Sequence, residues 1–141
     1  MTITTPQGFT FDPPSGYAAE ESTIALKPSD HGGKPSPTLV FHSRKVAADA
    51  TLDSLASEAV TELAAASGKV PRLTEFTFSD GAKGMMLMHS QTTPAGNVRQ
   101  YLVIRLTNGT QATLMVNVPD LPELQATAPV LMQTFASLRA G

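Results

Sequence analysis

The chain contains no cysteine. That excludes a disulfide scaffold, a thiolate metal site and a cysteine nucleophile together. It is also short of charge. Only 16% of its 141 residues are Asp, Glu, Lys or Arg, and the net charge is −2, with acids and bases mixed along the sequence. Such a balance gives no basic footprint for nucleic acid and no basic patch for an anionic membrane. No apolar run approaches the roughly 20 residues that a membrane-spanning helix needs, so the protein is not expected to be membrane-embedded. The start, MTITTPQGFTF, lacks the basic and apolar regions of a signal peptide, and without cysteine there is no lipoprotein anchor. These absences together predict a soluble cytoplasmic protein. What the chain does have is an apolar content of 41%, enough to build a core, and the length of one ordinary domain spanning 1–141.

The first third reads as short strands and loops. GFTFDPPSGY begins extended at Phe9 and Phe11 and stops at Pro13-Pro14. A strand is expected from Ser22 to Lys27 and another over residues 38–46, separated by the surface loop SDHGGKPSP. A helix follows. Thr51 is its expected N-cap, and Leu52, Leu55, Ala56, Ala59 and Leu63 recur on one face until Gly68 ends it. Four strands come next, punctuated by Asp80-Gly81, by PAG at 94–96 and by TNG at 107–109. Short turns between consecutive strands predict an antiparallel meander. Asp120 and Pro122 suit the start of a last helix, with Leu124, Ala128, Leu131, Phe135 and Leu138 as its stripe and Pro129 as a kink or break. The fold class expected is α+β, an antiparallel sheet packed with two main helices.

The register of the last hairpin can be argued in two ways. A two-residue Asn108-Gly109 turn pairs Leu102 with Met115 and Ile104 with Thr113. A three-residue loop closed by Gly109 pairs Leu102 with Leu114 and Ile104 with Ala112. The second gathers Leu102, Ile104, Leu106, Leu114, Val116 and Val118 on one face and is preferred, because a slip of one residue scatters that set. The opposite face then carries Arg99, Tyr101, Val103, Arg105, Thr113, Met115 and Asn117. If PAG turns in the same way, Met85 and Leu87 join this mixed face.

Catalytic signals are absent. His31, His42 and His89 lie far apart in sequence, and none has a close ligand spacing with another. HGGKPS fails as a phosphate loop at Pro28 and Pro35. Asn108-Gly109-Thr110 is formally a glycosylation acceptor, but it reads better as a turn. No enzymatic activity, cofactor or metal is expected. The unusual stretch is instead KGMMLMHSQTT, residues 83–93, where Met85 to Met88 run apolar without a break. Methionine is ordinarily a flexible filler of cores, but soft side chains on an uncovered face also suit an apolar partner. Met85, Leu87, Tyr101, Val103 and Met115 are therefore the candidate partner-binding residues, with a second copy of the chain as the competing occupant.

The layout as a whole resembles the DcrB-related family of Mog1/PsbP-like fold. FTFDPPSGY, STIALKP, TLVFHSRKV leading into TLDSLASEAVTEL, the meander ending VRQYLVIRLTNGTQATLMVNVP, and the final QTFASLRAG carry the resemblance across nearly the whole chain. Within that family it is most similar to the Eag chaperones of type VI secretion. The resemblance implies a cytoplasmic, homodimeric chaperone or adaptor. Such a protein shields apolar N-terminal helices of a secreted effector and aids their loading onto the secretion spike protein. A non-enzymatic scaffold or ligand-binding module of the same fold is the alternative.

Overall fold

In a computed structural model, residues 2–4, 8–12, 14–15, 21–26, 38–94, 96–119 and 128–139 are described. The alternation of apolar residues and turn signals gives the strands in the expected order. Strands β1 (Ile3–Thr4) and β2 (Thr10–Phe11) pair with each other. Next come β3 (Glu21–Leu26), β4 (Thr38–Lys45), helix α1 (Leu52–Ser67), β5 (Arg72–Thr77), β6 (Lys83–Thr93), β7 (Gly96–Thr107), β8 (Thr110–Pro119) and helix α2 (Ala128–Ala136). The main sheet has six antiparallel strands in the order β3-β4-β8-β7-β6-β5. The described residues thus form an α+β structure with a four-strand meander and two helices.

Helix α1 begins and ends where its caps dictate. The Thr51 hydroxyl accepts the Ser54 N–H at 3.1 Å, and the Ser54 hydroxyl accepts the Thr51 N–H at 3.0 Å. Gly68, at φ 75°, closes the helix by donating to the Ala64 carbonyl at 2.8 Å. This reciprocal pair satisfies two orphan donors, and glycine tolerates the left-handed closing residue.

The hairpin registers correct the expectation. Thr107 pairs with Thr110, Leu102 with Met115 and Ile104 with Thr113, which is the two-residue turn and not the three-residue loop. Asn108 (φ 49°) and Gly109 (φ 74°) both adopt positive φ. That geometry matches the right-handed twist of the strands it joins. The preceding hairpin is equally tight, with Thr93 opposite Gly96, and so Met86 lies opposite Val103 and Leu87 opposite Leu102. The argument for the slipped register assumed one covered face, but both faces are covered. On one, α1 packs Leu55, Ala59 and Leu63 against Leu87, Leu102, Ile104 and Leu106. On the other, α2 packs Leu131, Met132 and Phe135 against Met86, Val103, Leu114 and Val116. The unbroken run Met85–Met88 is therefore a strand with a helix layer on each side, which needs no alternation.

Arg105 fastens the second layer. It is 8% exposed and crosses from β7 to the turn between β5 and β6. There its Nη1 and Nη2 donate to the Asp80 carboxylate at 3.0 and 2.6 Å. Nη1 also donates to the Leu138 carbonyl at 2.9 Å, and the guanidinium lies 4.9 Å over the Phe78 ring. Ser79 reaches the same helix end, its N–H and hydroxyl donating to the Ala136 carbonyl at 2.9 and 2.8 Å. A helix terminus needs such donors for its free carbonyls. Pro129 is the second residue of the described helix, a first-turn position where a missing N–H breaks no internal bond. The expected start at Asp120 and Pro122, with Leu124, lies outside the described residues.

Two predictions follow from these contacts. The hydrogen bonds from Arg105, and after them the Ala82 N–H, hold the Asp80 carboxyl below the ordinary carboxylate value. A depressed native pKa stabilises the fold above the unfolded-state pKa, and the contribution is lost as pH falls through the native one. Stability should therefore drop as pH is taken below about 4, and Asp80→Asn should flatten that acid limb while lowering the melting temperature at neutral pH. At Gly84 an added Cβ would meet the Ile104 carbonyl oxygen and the Phe78 ring at 2.5 Å. Because a backbone atom cannot step aside, Gly84→Ala should cost about 1–3 kcal/mol in urea unfolding.

Candidate partner groove

The five candidate residues do not share one face. Met85, Leu87 and Met115 fall on the α1 side, in register with Ile104 and Leu102. Tyr101 and Val103 project to the α2 side, in register with Val116 and Leu114. Leu87 and Val103 are 0% exposed and belong to the two cores. Their sequence placement on a single mixed face followed from the slipped register, and the tight turns undo it. Of the five, Met115, which is half-buried, is the one that lines the open groove beside α1.

That groove arises because α1 packs over β6 and β7 while the sheet continues to β8, β4 and β3. Its volume is about 250 Å³. Val40, Leu102 and Met115 form a neighbouring row across β4, β7 and β8, and Ala59 and Glu62 bring the flank of α1 to it. Val40, Leu102 and Met115 are each half-buried. One end of the groove is polar. Arg44 Nε donates to Gln111 Oε1 at 3.0 Å, and Gln111 Nε2 donates to Thr113 Oγ1 at 3.2 Å. Arg44 also lies 3.7 Å from Glu58 of α1, and His42 Nδ1 meets Thr23 Oγ1 at 2.7 Å. These bonds tie the polar side chains to one another and to α1 at that end of the groove. Val40, Leu102 and Ala59 were not among the candidate partner residues read from sequence, which assigned Leu102 and Ala59 to apolar core faces. The alternation in TLVFHSRKV placed Val40 on a face, but nothing local showed where α1 stops covering it.

His31 lies outside the described residues. Among the described residues no three His, Asp or Glu side chains gather in a metal-ligating group, and no helix is long and apolar enough to cross a membrane. The arrangement defines a two-faced antiparallel sheet with one helix layer on each side and an apolar groove flanking α1. In that fold it is similar to the crystal structure of the protein of unknown function PA94 from Pseudomonas aeruginosa, described as a candidate regulator. The TM-score is 0.64 at 12% identity, covering 100% of this chain and 96% of that one. The likeness at this identity is one of fold. No family model matches the chain, and no curated protein matches it.

The two kinds of position should separate in mutagenesis. Leu87→Ala, at a fully buried site, should cost about 2–5 kcal/mol. Met115→Ala, in the half-open groove, should cost clearly less. Equal losses in urea unfolding would place Met115 in the core.

Proposed function

We propose that the protein is a cytoplasmic chaperone and adaptor that shields apolar N-terminal helices of a type VI secretion effector and aids their loading onto the secretion spike. The observation that carries this reading is the groove of Val40, Leu102 and Met115 beside α1. It is a half-open apolar row with a helix already along one side, so a client helix can lie there as a neighbour of α1. Each Å² of apolar client surface covered is worth about 25 cal/mol. The resemblance of the chain to Eag chaperones supports the same assignment, and a homodimer would double the cover. The reading relocates the partner surface from the five residues of the sequence argument to the strip around Met115.

The test is co-expression with an effector fragment that carries N-terminal apolar helices. Val40→Glu with Met115→Glu should leave the circular-dichroism spectrum unchanged and reduce client recovery by at least about tenfold, the effect of some 1.4 kcal/mol. Full client recovery by the folded variant would overturn the groove assignment. A variant that turns monomeric and keeps its client would make this strip a seam between copies. A second reading, a ligand-binding module without a client helix, is favoured by a separate cleft on the opposite face of the sheet.

A further inference from the structure

The α2 layer stops short of the end of the sheet. On its face, Phe41, Leu114 and Val103 lie opposite one another on β4, β8 and β7 and pack into the core with Phe135. The next row on the same face is Ser43, Ala112 and Arg105. Its two small side chains leave a cleft of about 380 Å³, a volume in the range of small-molecule sites. Phe41, Ala112 and Leu138 give the cleft an apolar side, and Arg105, Thr107 and Arg139 give it a polar one. It lies on the opposite face of the sheet from the groove beside α1 and shares no residue with it.

The polar side has donors to spare. A guanidinium keeps five N–H protons, so its donors can be counted without choosing a tautomer. Arg105 Nε donates to the Thr107 hydroxyl at 3.3 Å. Nη1 donates to Asp80 Oδ1 at 3.0 Å and to the Leu138 carbonyl at 2.9 Å, and Nη2 donates to Asp80 Oδ2 at 2.6 Å. One Nη2 proton is left. Because Nη1 and Nη2 share one carboxylate, that proton lies on the Nε edge of the guanidinium, the edge that faces Thr107. Thr107 lines the cleft and Asp80 does not, so the spare proton is on the cleft side of a side chain only 10% exposed. The Thr107 hydroxyl accepts from Nε and has its own proton to give.

The charge is also unbalanced. Asp80 neutralises Arg105, and the other ion pair among the described residues is Arg44 with Glu58. Arg139 donates to the Ser137 carbonyl at 3.3 Å and has no carboxylate partner among the described residues. Among those residues no carboxylate lines the cleft either. One free cation, spare donors and an apolar wall define a complementary ligand, singly negative at one end and apolar at the other.

We propose that this cleft binds a small monocarboxylate with an apolar body, such as a short-chain fatty acid. One carboxylate oxygen accepts from the spare Nη2–H of Arg105 and from the Thr107 hydroxyl. The other pairs with Arg139, and the hydrocarbon lies on Ala112 between Phe41 and Leu138.

The experiment is a nitrogen-15 NMR titration of the full chain near neutral pH, at constant ionic strength, with hexanoate, hexanol and acetate. Hexanol lacks the charge and acetate lacks the apolar body. Hexanoate should bind at least about tenfold tighter than either, and it should shift the Arg105 Nε–H signal and the amides of Ser43 and Ala112. Arg139→Gln, at an exposed position, should weaken hexanoate binding at least about fivefold and leave hexanol unchanged. Ala112→Leu should fill the cleft and abolish binding with the circular-dichroism spectrum unchanged. If that variant does not fold, Arg139→Gln decides alone. Hexanol or acetate binding as tightly as hexanoate would overturn the proposal. So would no response, hexanoate binding that ignores Arg139→Gln, or shifts confined to the groove of Val40 and Met115.

Discussion

The turn at Asn108–Gly109 decides which side chain belongs to which layer. With two residues between Thr107 and Thr110, both at positive φ, Leu102 must sit beside Met115 and Val103 beside Leu114. One more residue in the loop would move every β8 side chain to the other face. Leu114, Val116 and Val118 would then leave Phe135 and α2, and Thr113 and Gln111 would be driven into that core. The hairpin between β6 and β7 repeats the constraint and sends Leu87 to one helix and Met86 to the other. Two short turns thus divide a single sheet between two apolar layers.

Each layer is completed by a different kind of bond. The α1 layer relies on caps within the helix and a stripe of small residues that lets it lie close on the sheet. The α2 layer relies on Arg105 and Ser79, which reach from the sheet side to the carbonyls at the helix end. Arg105 is a charge placed on a core face, and the bidentate contact with Asp80 gives it a partner with matched geometry. Because α1 is centred on β6 and β7, the sheet extends beyond it toward β4 and β3. The groove is the consequence of that offset and not of any special residue.

Much of the fold was legible in the sequence. Thr51, Gly68 and the stripe from Leu52 to Leu63 marked α1, and the turn residues at Asp80-Gly81 and Asn108-Gly109 marked the meander. The register was not legible by the same logic. Counting apolar residues on one face favours the wrong pairing whenever both faces are covered, since an apolar set scattered over two faces then costs nothing. The uninterrupted Met85–Met88 run was the available clue, because a strand with one wet face would alternate there. Its second half touches another layer of this same chain. The candidate site suffered most from this error, since the shift of parity set the core residue Val103 beside Met115 in place of the groove residue Leu102.

The strand order also has a kinetic side. Strands β5 to β8 pair with their sequence neighbours, so this half can zip up through local turns. Strand β4 must instead find β8, with Thr38 opposite Asn117, across α1 and the whole meander. Closing so long a loop is slow relative to forming hairpins. The meander with α1 can therefore assemble first, and the β3–β4 hairpin docks last onto the exposed edge of β8. The groove wall supplied by Val40 is then the final part of the sheet to form, and the part that local unfolding would release earliest.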